Sequence, residues 1–237
     1  MTLQVLADVE SAARHAAEII ASEARAAVKA RGRFTIAISG GRTPWVMLRE
    51  LSSLDVPWQH VHVLQVDERI APEGHADRNL THLRESLLAQ AQPGAAQIHA
   101  MPVESADLDQ ASARYGQILV DVAGSPPVLD LVHLGMGPDG HTASLVPGDP
   151  VLDVTDTDAA LTGLYQGRRR MTLTYPVLNR ARRVLWLITG EDKAAMLVRL
   201  RRADPTIPAG RIRQDDALVL ADRAAAPQRE GEESFPK

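Results

Sequence analysis

Asp139 and His141 stand two residues apart in the run Gly135-Met136-Gly137-Pro138-Asp139-Gly140-His141, a spacing that lets a carboxylate and an imidazole enter one cleft from a loop. An imidazole ordinarily titrates near pH ~6.5, so around neutrality it can accept a proton from water. A single loop histidine is as readily a solvated side chain or a helix cap. Its neighbours decide the matter. Asp67-Glu68-Arg69 sets acid and base side by side, Ser39-Gly40-Gly41-Arg42-Thr43-Pro44 joins glycines to hydroxyls, and Arg170 and Lys193 add cations downstream.

Each group has a chemistry and a bland alternative. Glycines and hydroxyls between a strand and a helix turn backbone N–H groups and the positive end of the helix dipole toward an anion, with phosphate the obvious ligand. The same residues also make an ordinary capped turn. Gly135-x-Gly137-x-x-Gly140 fits a dinucleotide fingerprint literally. Pro138 stiffens that turn, the Asp139 carboxylate stands where a pyrophosphate would go, and no ribose-binding acid on a second strand follows about 20 residues on, so no cofactor is expected. Lys193 begins a helical stretch, where a cation is unfavourable unless an anion is near, and this makes it a ligand-binding residue rather than a surface charge. His60 and His62 share a strand face and could join Asp67 around a metal, but an exposed strand face explains them better, and no metal is expected.

Short apolar runs must position these groups. Residues 8–30 carry a helical apolar stripe; Phe34–Ile38 reads as a buried strand ending at the glycine loop, with a helix through Trp45 and Leu51 beyond it. Residues 60–66 form a strand that delivers Asp67, 80–90 a helix, 107–123 another, and 128–134 a strand that empties into the Gly135 loop. Residues 169–174 alternate like an edge strand, 184–189 look buried, 191–202 are helical, and 217–221 form a last strand. The spacing predicts a single-domain α/β fold: a mostly parallel, doubly wound, Rossmann-like sheet with helices on both faces and ligands at the carboxyl ends of its strands. The domain is expected over 1–223, with a polar, disordered tail over 224–237.

Composition narrows the classes. The chain has 237 residues, of which 45% are hydrophobic and 24% charged, enough to bury one sizeable core and too polar for a bundle of membrane spans. The absence of cysteine excludes disulfides, thiolate metal sites and a cysteine nucleophile, and points to a reducing compartment. A net charge of −4 offers no field for nucleic acid, and aromatics at 3% offer no stacking platform. Only three of the 26 basic residues are lysines, which singles out Lys193. Charges interrupt the first twenty residues, so no export or insertion signal is expected and the location is expected to be cytoplasmic.

With these motifs in order, the chain resembles the 6-phosphogluconolactonases, within the superfamily they share with glucosamine-6-phosphate deaminases. The resemblance rests on SGGRTP at 39–44, DER at 67–69, Asn79, GMGPDGHTAS at 135–144, RMTLT at 170–174, Gly190-x-x-Lys193-Ala194 and DALVLADRAAA at 216–226. Deaminases are expected to follow the histidine with an Asn-Glu-Pro segment and to carry Tyr after the acid pair; here stand Ser144-Leu145-Val146-Pro147-Gly148 and Arg69. The resemblance therefore implies hydrolysis of 6-phospho-D-glucono-1,5-lactone in the oxidative pentose phosphate pathway, with deamination as the alternative.

It also implies roles. His141 is the general base, with Asp67 or Asp139 as the carboxylate that orients it. Arg170, Lys193 and the amides of Ser39, Gly40 and Gly41 hold the 6-phosphate. Arg42, Arg69 and Asn79 contact phosphate or ring hydroxyls, and amides of the Gly135, Gly137 and Gly140 loop supply an oxyanion site. The expected partner is a small sugar phosphate, with no nucleic acid or membrane. A non-catalytic sugar-phosphate sensor of similar fold would carry a helix-turn-helix ahead of it, and only one helix is expected before the strand at Phe34.

Overall fold

The computed structural model describes residues 1–88 and 97–226. Phe34–Ile38 (β2) is buried at all five positions, as a strand covered on both faces must be. It sits inside a seven-stranded sheet with Val61–Gln65 (β3) and then Ile98–His99 (β5) on one side. On the other side come Leu131–Leu134 (β6), Arg183–Ile188 (β9), Ala217–Asp222 (β10) and, at the edge, Thr2–Leu6 (β1). Every pairing in this sheet is parallel.

Side chains alternate between two cores. Leu185 and Leu187 of β9 join Val9–Arg31 (α1) and Arg42–Ser52 (α2) on one face. Val184, Trp186 and Ile188 face the other core, where Leu108–Ala123 (α4) and Ala194–Arg201 (α6) contribute Leu119 and Leu197. Helix α1 lies close to the sheet because its buried stripe is nearly all alanine, from Ala12 to Ala27. Its first turn is capped by Asp8, whose side chain accepts from the Ser11 amide at 2.8 Å.

Several expectations need correction. A strand, β1, precedes α1. Its five residues pair with β10 more than two hundred positions away, and its mostly exposed pattern gave no core signal. Arg170–Leu173 (β8) is not an edge strand of the main sheet; it is the middle strand of a separate antiparallel sheet between Asp67–Arg69 (β4) and Ala159–Leu161 (β7), and is buried throughout. His60 belongs to a 3-10 turn, Trp58–His60, rather than to a strand face with His62, which instead meets His99 on β5 at 3.1 Å. Asn79–Leu83 (α3) runs on as a π-helical turn over Arg84–Leu88, and the expected helix end at 89–90 lies outside the described residues. Residues 224–226 are not tail: Ala225 is buried and its amide donates to Asp222. The tail beyond them lies outside the described residues. Tyr175–Arg180 (α5) follows β8 directly in the chain.

His133 on β6 is fully buried, and neither ring nitrogen has a hydrogen-bond partner among the described residues. Burial pushes the imidazole down to about 3. The folded chain thus keeps it neutral while an unfolded chain protonates it below about pH 6.5, so its contribution to stability is full above that pH and is lost as the pH falls toward 3. Urea titrations across this window should give His133→Leu a flatter decline than the parent protein. At pH 7 the variant should be at least as stable, since leucine removes two orphaned polar atoms. Parallel declines would place the acid sensitivity in other groups.

Candidate active site

Chain direction through the sheet reverses between β2 and β6: β2 leads outward to β3, and β6 leads the other way to β9 and β10. The loops leaving their carboxyl ends part at this point and open a crevice, the usual ligand position in such sheets. The Ser39 hydroxyl donates to the His133 carbonyl at 3.0 Å and pins one loop root to the other strand. The crevice encloses about 550 Å³. Every residue expected at the site lines it except Asp139 and Gly140, which stand behind His141.

His141 Nδ1 lies 2.6 Å from Asp139 Oδ1, which also accepts from the His141 backbone amide at 3.1 Å. The Tyr165 hydroxyl donates to the other oxygen, Oδ2, at 3.1 Å. Burial alone would raise the Asp139 carboxyl; the facing imidazole and the donors from His141 and Tyr165 outweigh it and hold the group below the ordinary carboxylate range. With Nδ1 engaged, Nε2 is the ring nitrogen left for other chemistry. A Cβ at Gly137 would overlap the imidazole, so glycine there permits the ring to lie against the loop backbone. The loop also closes on itself: the Gly137 amide donates to the His141 carbonyl at 2.8 Å and the Gly140 amide to the Gly137 carbonyl at 3.0 Å. Those two amides are therefore not free for an oxyanion, contrary to expectation, and the loop runs on to a short 3-10 helix at Pro150–Asp153 instead of opening an α-helix that could receive a dinucleotide.

Asp67, the other carboxylate considered as a partner for His141, is committed elsewhere. Its Oδ2 accepts from the Ser144 hydroxyl at 2.5 Å and its Oδ1 from Asn79 Nδ2 at 3.1 Å. Asn79 in turn accepts from Arg69 Nη1 at 2.7 Å. Behind them Glu68 is fully buried and accepts from Gln65 Nε2 and from the amides of Arg69, Asn79 and Leu80, the last two at the start of α3. Arg78 Nε stands 3.1 Å from it. Sequence reasoning noticed Glu68 only as part of a charge cluster; a carboxylate facing a helix start eleven residues on is the signal that would have marked it.

Cations gather at the other end. The side chain of Arg170, a residue 5% exposed, makes only long hydrogen bonds among the described residues: 3.5 Å to the Ser144 hydroxyl and 3.4 Å to Gln166 Oε1. Its Nε has no partner among the described residues. Burial lowers its pKa, with nearby Asp67 opposing. Lys193 Nζ contacts Asp192 at 2.8 Å, so an acid of the chain itself supplies part of the anion that the helix position demanded. Helix α2 has no side-chain cap and no acid in its first turn. Thr43 is turned aside to Thr189, 2.7 Å away, which leaves the first amides and exposed Arg42 facing the crevice. Tyr165, Ser144 and Gln166 were not expected among the site residues.

A doubly wound α/β sheet with an Asp–His pair beside an under-satisfied cationic pocket defines a protein built around a small anionic ligand. The family model of glucosamine-6-phosphate isomerases/6-phosphogluconolactonase matches residues 7–220, and the chain belongs to that family. It is 39% identical over 207 residues to the 6-phosphogluconolactonase of Synechocystis sp., covering 84% of this chain and 86% of that one. The crystal structure of 6-phosphogluconolactonase from Thermotoga maritima superposes with a TM-score of 0.82 at 26% identity, over 93% of this chain and 98% of its own. A monomeric glucosamine-6-phosphate deaminase, at 20% identity and a TM-score of 0.84 over 97% of this chain and 100% of its own, shares the fold.

Gly137→Ala tests the close approach. The methyl group must push the imidazole off the loop, and a displacement of about 1 Å at a reacting group lowers turnover by about 10²-fold. Measured on 6-phosphogluconolactone, kcat should fall by that order while the melting temperature stays near that of the parent. Full activity would mean that His141 need not lie where the structure places it.

Proposed function

We propose that the chain is a 6-phosphogluconolactonase that hydrolyses 6-phospho-D-glucono-1,5-lactone to 6-phosphogluconate, the hydrolytic step of the oxidative pentose phosphate pathway. The observation that carries this reading is the 2.6 Å pair of His141 and Asp139 beside a cation-lined crevice, in a chain matching curated lactonases over most of its length. His141 Nε2 takes a proton from water as the water oxygen attacks C1. It returns that proton to the ring oxygen as the C1–O bond breaks, so the base is restored each turnover. Asp139 holds Nδ1–H and favours the imidazolium that forms in between.

Arg170, Lys193 and the first amides of α2 bind the 6-phosphate, and this remote binding fixes the carbonyl against the water. Asp67, held by Ser144 and Asn79, faces the crevice as an acceptor for ring hydroxyls, with Arg69 and Asn79 beside it. Deamination requires a further acid after the histidine. Here the first carboxylate in the loop is Asp149, whose two oxygens accept from the amides of Val151 and Gly163 and are used in a turn. The sugar phosphate is the one partner this chemistry needs.

Purified protein should accelerate lactone hydrolysis above the spontaneous rate, read by coupling to 6-phosphogluconate dehydrogenase. His141→Ala should lower kcat by about 10²–10⁴-fold and keep product affinity. Arg170→Ala and Lys193→Ala should each lose about 1.5–3 kcal/mol in kcat/KM on the phosphorylated lactone and little on the unphosphorylated one. Ammonia release from glucosamine 6-phosphate without lactone hydrolysis would overturn the proposal.

A further inference from the structure

Tyr165 lies outside the crevice lining, yet it touches both halves of the site. Its hydroxyl donates to Asp139 Oδ2 and stands 3.5 Å from His141 Nδ1. Its ring meets the imidazole edge-on, with centroids 5.4 Å apart, and the Arg170 guanidinium lies over it, 4.9 Å from its centroid. It takes no part in the proton transfers of the proposed hydrolysis.

Its placement is built rather than incidental. The Tyr165 amide donates to the Arg168 carbonyl at 3.0 Å and the Arg168 amide donates back at 3.2 Å. Gln166 and Gly167 between them have φ of 51° and 78°, the tight hairpin turn that reverses a chain in two residues. Arg168 then ties this turn across the site to another loop, its Nε donating to Asp77 Oδ2 at 2.8 Å. Gln166 Oε1 accepts from Arg170, so the turn also braces the cation on the tyrosine face.

We propose that Tyr165 is a positioning residue of the reaction: by holding Asp139 Oδ2 it stops the carboxylate from turning, so that Oδ1 keeps the Nδ1 proton of His141 and Nε2 stays free to take a proton from water. The terminal torsion of an aspartate is soft, and a carboxylate held through one oxygen can rotate it away from its partner. Here Oδ1 carries both His141 contacts and, among the described residues, Oδ2 has the phenol alone. The charged and titratable groups around the imidazole are Asp139 on its own loop, Tyr165 on the hairpin and, beyond the ring, Arg170 on β8. Burial raises the phenol, and the Asp139 charge and hydrogen bond raise it further against the lowering influence of Arg170, so it is a donor around neutrality. The inference rests on His141 acting as the base.

Tyr165→Phe keeps the ring under Arg170 and the turn, and removes only the hydroxyl. With the donor gone, Asp139 becomes a stronger acceptor toward the imidazole but a less fixed one. The expected result is a kcat about 3–10-fold lower with KM within about twofold. The acid limb of the kcat/KM profile should move up by about 0.5–1 pH unit, the equivalent of one net hydrogen bond. Imidazole 15N spectra need no substrate: they should report the Nδ1–H tautomer of His141 in the parent protein and a mixture of tautomers in the variant. A tautomer change in a protein that fails to hydrolyse the lactone would refute the lactonase assignment and leave the positioning intact. An unchanged pH profile and tautomer in an active Tyr165→Phe enzyme would overturn the positioning. So would an Nε2–H tautomer in the parent protein, a result that requires no variant to fold.

Discussion

The parallel register of β2 against β6, with Ile38 opposite His133, is the constraint from which the site follows. Backbone pairing there fixes where two loops leave the sheet, and because the chain then departs in opposite directions, no crossover fills the gap between them. A glycine loop with open amides and an Asp–His loop end up side by side although about a hundred residues separate them. The bond from Ser39 to the His133 carbonyl makes the two loop roots one unit. In the sheet beneath, the His133 ring has no hydrogen-bond partner among the described residues, and a neutral buried imidazole in that position is tolerable only where the chain never needs to charge it.

The small antiparallel sheet does a different task. It brings Asp67 and Arg170 to the crevice on neighbouring strands, with Arg69 paired directly to Arg170. The buried charges around it divide into two kinds. Glu68 accepts four hydrogen bonds and has Arg78 beside it, so its capacity is exhausted and its role is to fix the start of α3. Arg170 is buried as deeply as Asp67, and among the described residues its guanidinium has only two hydrogen bonds, both 3.4 Å or longer, to side-chain oxygens. A guanidinium left short of acceptors in a low-dielectric wall retains its capacity for an incoming anion. The contrast lies in satisfied against spare hydrogen-bonding capacity and not in burial, which is nearly the same for both, and it is what the proposed phosphate-binding role of Arg170 rests on.

Much of this was legible in the sequence, for identifiable reasons. The strands Phe34–Ile38 and Arg183–Ile188 are apolar runs broken by turn residues, and such runs report burial on both faces directly. The motif residues lie at strand ends, where a parallel sheet must place its ligand, so their convergence in one crevice followed from topology. What was not legible depends on contacts between distant segments. Strand β1 is a strand because of β10, and the alternation at 169–174 could not say which sheet the residues joined. The choice between Asp67 and Asp139 turned on Ser144 and Asn79, which occupy Asp67 from two other loops. Tyr165 lay behind an unremarked Gln-Gly turn, and nothing in its own neighbourhood points to a loop twenty-four residues earlier.

The family's description spans two chemistries, so the fold cannot by itself choose between them, and the proposed reading turns on the few residues after His141. Ala143 takes a positive φ of 51°, which turns the chain so that the Ser144 hydroxyl faces Asp67, and Leu145 and Val146 drop into the core. An acidic side chain in their place would have to be buried without partners, at a penalty of several kcal/mol. This stretch therefore trades a second acid for packing. In the proposed hydrolysis no such acid is called for, because a lactone carbonyl is electrophilic as it stands and needs one base and a held water. The apolar turn after the histidine and the single Asp–His pair before it are two expressions of the same requirement. The substrate's own reactivity determines how much catalytic machinery the loop must carry.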